Sequence, residues 1–186
     1  MTGREGLLAR LLPEAQSGRA DEGAEARGYR LREAWQRGDA ALESDAIAFW
    51  NALRILPSDV RPQDRAQELV ALAYRDDRLV GVSTAAIGQI DSLRGRFAVY
   101  RCAVHPEHRR QGVATALTIR SRAIIGQWAA RHREARLLGL ACVISSPELT
   151  SLLDQPCWPA TGLDLVGFTP QGRQVRVAWF DEARLA

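Results

Sequence analysis

The chain is poor in cysteine and has no lysine. It contains three cysteines, and all 25 basic residues are arginine, a bias to which we attach no function. No two cysteines follow a C-x-x-C spacing, so zinc and thiol-redox motifs are unsupported and we expect no bound metal. Cys102 and Cys142 lie in apolar runs, where a cysteine is usually a small core residue, whereas Cys157 lies in a predicted loop.

Long apolar runs and charged tails are also missing. No apolar run approaches the ~20 residues of a membrane-spanning helix, and the N-terminus lacks the basic region and apolar core of a signal peptide. The net charge is +3, with arginines scattered along the whole chain, which argues against nucleic-acid binding. We therefore expect a cytoplasmic protein that binds neither membrane nor nucleic acid.

The composition is that of a globular domain. Hydrophobic residues make up 46% of the 186 residues and charged residues 25%, which suits one domain with a single core. Residues 1–27 hold a leucine-rich patch followed by a polar, glycine-bearing stretch, as a loop or linker does. We therefore expect an N-terminal extension over 1–27 and a single domain over 28–186, with the leucine patch as a candidate homodimer contact.

The hydrophobic periodicity predicts a mixed α/β (α+β) chain. Alternating and apolar runs predict strands, and 3.6-residue patterns predict helices. The predicted strands are 29–35, 68–75, 79–90, 97–104, 136–144, 163–169 and 174–180, and the predicted helices are 39–56, 64–67 and a long one ending at His132. Together they predict a mainly antiparallel sheet of about seven strands flanked by helices.

The rest of the predicted fold is arranged around the stretch from Phe97 to His132. This stretch reads as a buried strand, a turn that contains Pro106, a basic glycine-containing segment and a long amphipathic helix. The first N–H groups of a helix lack intrahelical partners and lie at the positive end of its dipole, so they bind anions, phosphates above all. Gly112 would let a phosphate approach the backbone closely. This part of the chain therefore predicts a phosphate site.

Residues 102–114, CAVHPEHRRQGVA, resemble the acyl-CoA-binding signature of the GNAT acetyltransferase family. That signature is a strand ending in an apolar residue, usually a proline, and then Arg/Gln-x-x-Gly-x-Gly/Ala opening a helix. Its positions are filled here by Val104, Pro106, Arg109, Gly112 and Ala114. The antiparallel strands predicted ahead of it are also a feature of the family, and the likeness extends roughly over 29–181.

The resemblance implies the acyl-CoA N-acyltransferase fold and a reaction. An acetyl group would pass from acetyl-CoA, or another acyl group from its CoA thioester, to a primary amine of a small molecule, a protein N-terminus or a lysine. The backbone of Cys102, Ala103 and Val104 would pair with the pantetheine arm. The residues implied to hold the pyrophosphate are Arg109, Arg110, Gln111, Gly112, Val113, Ala114 and Thr115.

Some family positions are filled differently in this chain. Ser145 or Ser146 stands where family members often carry an asparagine that bonds the arm, although Ser146 before Pro147 also suits a helix cap. Ala98 stands where many members have a glutamate as general base, and no tyrosine precedes Gly167 in the short helix where many members have one as the acid.

Two interpretations follow from these departures. Tyr100 shares the strand parity of Ala98, so it is the candidate catalytic residue, as a proton donor or a group that positions water. Alternatively, the chain is a catalytically weak or inactive CoA-binding regulatory protein that keeps the fold.

Overall fold

The computed structural model describes residues 27–145, 149, 154–181 and 183. In this part of the chain, one eight-stranded sheet carries helices on both faces. The strands are β1 Arg30–Glu33, β2 Leu69–Arg75, β3 Arg78–Ile90, β4 Gly95–Val104, β5 Leu137–Val143, β6 Cys157–Trp158, β7 Leu163–Phe168 and β8 Gln174–Trp179. The α-helices are α1 Ala40–Leu53, α2 Pro62–Ala66 and α3 Val113–Arg131, and short 3-10 helices cover Asp91–Leu93, Pro106–His108 and Arg133–Ala135.

The strand order is β1-β2-β3-β4-β5-β8-β7-β6. Every neighbouring pair is antiparallel except β4 and β5, which are parallel and joined through α3. This confirms the predicted mainly antiparallel, helix-flanked sheet. The sheet has one strand more than expected, because Cys157 and Trp158 pair with Asp164 and Leu163. A two-residue strand has no periodicity of its own and is defined only by its partner.

Local features of the chain account for where α1 begins and ends. Asp39 caps α1, and its Oδ1 accepts hydrogen bonds from Ala41 N at 3.0 Å and Leu42 N at 3.2 Å. The helix ends at Leu53, three residues earlier than the prediction to Leu56, because Arg54 adopts a left-handed conformation with φ 50°. Such a residue cannot continue an α-helix.

The two faces of the sheet have separate cores. On one face α3 buries Leu117 and Ile125 against strand residues that include Ala98. On the other face α1 buries Phe49 and Trp50. Since side chains alternate along a strand, the even-numbered residues at 98 and 100 face α3 and the odd-numbered residues of β4 face away from it. None of the helices in the described residues has the length and apolar character that a membrane span needs.

Candidate cofactor-binding site

The sheet opens at the only parallel pair of its described strands. Pairing between β4 and β5 runs from Arg96–Leu137 to Val99–Ala141 and stops there. β4 nevertheless continues to Val104, still paired with β3. A gap therefore separates the carboxyl ends of β4 and β5, and we call this opening the β4–β5 gap.

One edge of β4 offers backbone groups to this gap. His105 N donates to Val80 O at 2.8 Å, and an antiparallel pair uses the backbone groups of every second residue. The odd-numbered residues of β4 thus bond to β3, and Cys102 and Val104 direct their N–H and C=O groups into the gap. Arg109 Nε donates to Val104 O at 3.2 Å. Cys102 N–H and C=O and Val104 N–H remain for a ligand.

Two predicted residues of β4 differ from expectation in their surroundings. Ala103, predicted to contact the pantetheine arm, turns its backbone toward β3 by the same alternation and packs its side chain against the α1 face. Cys102, expected in the core, is exposed, because β5 has already left β4 at this level. Although the residue as a whole is exposed, burial of its sulfur raises the pKa of the Cys102 thiol to about 11. Cys142 is buried as predicted, and burial raises the pKa of its thiol to about 12.

At the end of β4 the chain forms a tight turn into α3. Arg110 has φ 59° and Gly112 has φ 83°, so the turn needs two left-handed residues, and glycine adopts that conformation readily. Gly112 is the N-cap of α3 and has no side chain to bond the helix. The first intrahelical bond runs from Ala116 N to Gly112 O at 2.9 Å. The N–H groups of residues 113–115 precede it, so the helix start is a built anion site.

Side chains on both sides of the turn hold its shape. Gln111 Nε2 donates to Glu107 O at 2.8 Å. Tyr29 OH donates to Gln111 Oε1 at 2.6 Å and lies 3.1 Å from His108 Nδ1. Gln111 therefore supports the turn with its side chain, and its backbone N–H is what remains for a ligand. Tyr29 is buried just before β1, and nothing in the sequence motif indicated this support.

A second residue outside the motif, Arg27, lies on the turn. Arg27 Nη1 donates to Gln111 O at 2.8 Å. A Cβ on Gly112 would lie 2.6 Å from the same Nη1. The guanidinium thus adds positive charge beside the helix start. Arg27 belongs to the segment predicted as an extension, and periodicity could not have revealed a contact that spans 84 positions.

His105, Glu107 and His108 form a cluster in the turn after β4. The side-chain atoms with which they could ligate a metal lie within 4.8 Å of one another. His105 Nδ1 accepts a hydrogen bond from Glu107 N at 3.4 Å, and His108 Nδ1 bonds Tyr29 OH. Glu107 points into solvent with 82% of its side chain exposed. These contacts shape the 3-10 turn, and we assign the group that role.

Tyr100 lies between the sheet and α3. Its side chain is 5% exposed, and its OH lies 3.1 Å from Thr118 Oγ1. Thr118 Oγ1 in turn donates to Ala114 O at 2.8 Å, so Tyr100 is the donor to Thr118. Burial raises the pKa of Tyr100 well above its usual value of 10.0. The role in proton transfer predicted from parity stays a prediction, and the structure gives this hydroxyl a partner in the core.

The remaining predicted residue lies on the opposite side of the gap. Ser145 is exposed and comes two residues after the end of β5 at Val143. Ser146 and Pro147 lie outside the described residues, as does the leucine patch. The structure thus brings the free edge of β4, the turn before α3 and the end of β5 together at the carboxyl ends of two central strands.

Comparison with known proteins agrees with this geometry. The sequence profile described as "Acetyltransferase (GNAT) family" matches residues 29–147, while a search of curated protein sequences finds no match. Among solved structures, ribosomal-protein-S5-alanine acetyltransferase from Vibrio fischeri superposes with a TM-score of 0.56 at 9% identity, covering 85% of this chain and 96% of that one.

A second solved structure, yncA from Salmonella typhimurium with its cofactor acetyl-CoA, gives a TM-score of 0.53 at 14% identity, covering 85% of this chain and 97% of that one. At such identities the likeness is one of fold. The profile match extends from the residue before β1 through β5, and so includes the β4–β5 gap and the turn into α3. The chain belongs to the GNAT acetyltransferase family.

Proposed function

We propose that the protein is an acyl-CoA-dependent N-acyltransferase that moves an acetyl group from acetyl-CoA to a primary amine. The observation that carries this proposal is the β4–β5 gap beside the uncapped start of α3. A ligand whose pyrophosphate carries a long amide-bearing arm suits both features. The solved relative described with acetyl-CoA as its cofactor supports the same choice of ligand.

Each part of the cofactor has a matching part of the chain. The pyrophosphate would accept hydrogen bonds from the N–H groups of 113–115, with Arg109 and Arg110 adding charge at the mouth. The pantetheine arm would continue along the free edge of β4, bonding Cys102 and Val104 as an added strand does. Ser145 would bond the arm from the β5 side. This places the thioester near Val99, where the two strands close together.

The reaction then needs few chemical groups. The amine nitrogen attacks the thioester carbonyl, a C–N bond forms, the C–S bond breaks, and the proton lost by the amine is balanced by the one that the CoA thiolate takes up. Holding the two reactants together supplies much of the rate. Ala98 cannot accept a proton, and burial keeps Tyr100 neutral at assay pH. The amine would therefore arrive deprotonated or lose its proton to water.

The absence of a carboxylate at position 98 and the burial of Tyr100 favour a second candidate. In it, the chain binds CoA and regulates or interacts with other molecules without turnover. Release of free CoA from acetyl-CoA, measured against a panel of amines, separates the two candidates. CoA release that depends on the amine supports the enzyme, and tight binding without release on any amine supports the regulator.

Replacing Gly112 by valine tests the cofactor site shared by both candidates. Valine disfavours φ 83°, and its Cβ would meet Arg27 Nη1 at 2.6 Å. We expect calorimetric titration to show the affinity for CoA reduced by roughly tenfold or more, since a single lost charge-assisted contact has that effect.

Gly38→Val is the matched control. Gly38 has φ 59° with no described atom within 4 Å of an added Cβ. It lies three residues after Trp35, which packs on Trp128 near the end of α3, so this variant carries a similar backbone strain away from the helix start. Equal CoA affinity in the two variants would contradict the proposed pyrophosphate position.

A further inference from the structure

Two arginines share one carboxylate on the face of the sheet opposite α3. Arg65 Nη1 donates to Glu68 Oε2 at 2.7 Å, and Arg101 Nη1 donates to the same oxygen at 3.2 Å. Arg65 belongs to α2, Glu68 precedes β2 and Arg101 lies on β4. Two neighbouring residues at the end of α2 and just before β2 thus join a residue of β4, 33 positions away, in one charged group, which we call the arginine pair.

The arginine pair carries more positive charge than its carboxylate balances. Among the residues that the structure describes, Glu68 is the only acidic group within 4.0 Å of either guanidinium. Within the same described residues, Arg65 Nε is buried and has no hydrogen-bond partner. Burial lowers the pKa of Arg101, and the neighbouring Arg65 lowers it further. A second anion near Arg101 would relieve both effects.

Arg101 has donors to spare for such an anion. Its Nη1 makes the bonds to Glu68 and, at 3.4 Å, to Val99 O. In the described part of the chain Nε and Nη2 have no acceptor, and 45% of the side chain is exposed. Nε and Nη2 form the edge of a guanidinium that matches the two oxygens of a carboxylate.

The position of Arg101 connects this free edge to the β4–β5 gap. Arg101 lies between Val99, where pairing with β5 stops, and Cys102, whose backbone faces the gap. With a rise of about 3.3 Å per residue, both neighbours lie within about 7 Å along the strand. The side chain points away from α3, to the face where α1 and α2 pack. On β5, Val143 lies at the corresponding position across the gap and is 44% exposed.

We propose that the arginine pair is the acceptor subsite, and that Arg101 binds a carboxylate carried by the amine that is acylated. This inference rests on the proposed function for the position of the thioester, and it adds the acceptor class. The pantetheine arm would occupy the gap, so an amine would reach the thioester from the face of the sheet opposite α3, past Arg101. A carboxylate on that amine would take the free Nε and Nη2 donors and orient the nitrogen toward the carbonyl.

Matched pairs of amines test this subsite. Each pair consists of a carboxylate-bearing amine and its carboxamide. Two sets of pairs are compared: free amino acids, and short peptides with an acidic residue near the N-terminus. We expect kcat/KM to be higher for the carboxylate form by roughly tenfold or more, as for other charged hydrogen bonds. The set that shows the larger preference identifies the source of the carboxylate.

Arg101→Gln should remove this preference and leave CoA affinity unchanged, whereas Arg101→Lys should keep part of it. Arg96→Gln is the matched control. It replaces an exposed arginine of the same strand where β4 is still paired with β5, and the preference should survive. An unchanged preference in Arg101→Gln overturns the subsite while the proposed function stands.

A binding measurement keeps the subsite testable without turnover. The CoA complex is titrated calorimetrically with the carboxylate amine and with its carboxamide. If the parent protein binds the carboxylate form selectively and Arg101→Gln abolishes this selectivity, the subsite is supported. This holds even if no amine is acylated, because the lack of acylation counts only against the proposed enzyme. Equal binding of both forms by the parent protein overturns the subsite.

Discussion

Tyr100 shows how burial decides what one side chain can do. Its hydroxyl donates to Thr118 in the core, and burial raises its pKa well above 10.0. We therefore expect Tyr100→Phe to keep turnover and CoA affinity within about twofold. The lost hydrogen bond should lower the free energy of unfolding by about 0.5–1.5 kcal/mol, measured by denaturant titration.

Tyr74→Phe provides the comparison for Tyr100. Tyr74 OH donates to Asp45 Oδ2 at 2.7 Å on the other face of the sheet, so this variant loses one tyrosine hydrogen bond away from the gap. If Tyr100→Phe, and not Tyr74→Phe, lowers turnover by tenfold or more, the catalytic role predicted from strand parity is right and the structural role is wrong.

Arg27 illustrates a residue whose role depends on a contact that no motif contains. Its guanidinium lies on the pyrophosphate turn, bonded to Gln111 O. We expect Arg27→Gln to weaken CoA binding by roughly three- to thirtyfold, with the difference shrinking at high salt because an exposed charge is screened. Calorimetry at two ionic strengths measures this effect.

Arg30→Gln is the control for Arg27. Arg30 lies three residues later and pairs with Asp77 at 2.8 Å, so its loss should leave CoA binding unaltered. Equal affinity of Arg27→Gln and the parent protein at low salt would show that Arg27 only braces the turn.

At the scale of elements, the sequence predicted the strand–turn–helix unit well and its surroundings poorly. The predicted strand 97–104 is observed as Gly95–Val104, and the helix predicted to end at His132 ends at Arg131. Hydrophobic periodicity reports which side of an element is buried. It cannot report where a neighbouring strand departs, and for that reason Cys102 was expected in the core. The arginine pair joins α2 to β4, so it too lay beyond a local pattern.

The β4–β5 gap makes Cys102 a probe of cofactor binding. Cys102 is an exposed residue, and burial raises the pKa of its thiol to about 11, so the reactive thiolate fraction should rise about tenfold per pH unit between pH 7 and 10. In a Cys157→Ser background, alkylation by iodoacetamide should follow that rise. CoA at about twenty times its Kd should slow alkylation roughly twentyfold by mass action.

The remaining thiol serves as the internal reference for that experiment. Cys142 is buried with a pKa of about 12, so it should stay unmodified throughout. Peptide mass mapping assigns the label to a cysteine. Alkylation of Cys102 at the same rate with and without CoA would place the cofactor somewhere other than the gap.

For the whole molecule, the sequence predicted the class of the sheet but only part of its order. The parallel crossover from β4 through α3 to β5 and the hairpin of β7 and β8 are as predicted. The side of that hairpin that joins the sheet was not predicted, and the structure places β8 against β5. Each strand of a hairpin offers a free edge of similar chemistry, so long-range packing determines which of the two strands pairs with β5.

The extent of the domain gives the last prediction. The resemblance begins near Tyr29, and the family profile also begins at residue 29, so we expect deletion of 1–26 to leave the melting temperature within about 3 °C of the parent value. Deleting 1–27 should in addition weaken CoA binding as Arg27→Gln does, because it removes the guanidinium from the turn. Sedimentation measures mass in parallel. A fall from dimer to monomer would assign the leucine patch to a homodimer contact. A large drop in melting temperature at constant mass would instead place 1–26 in the core and move the domain boundary to the start of the chain.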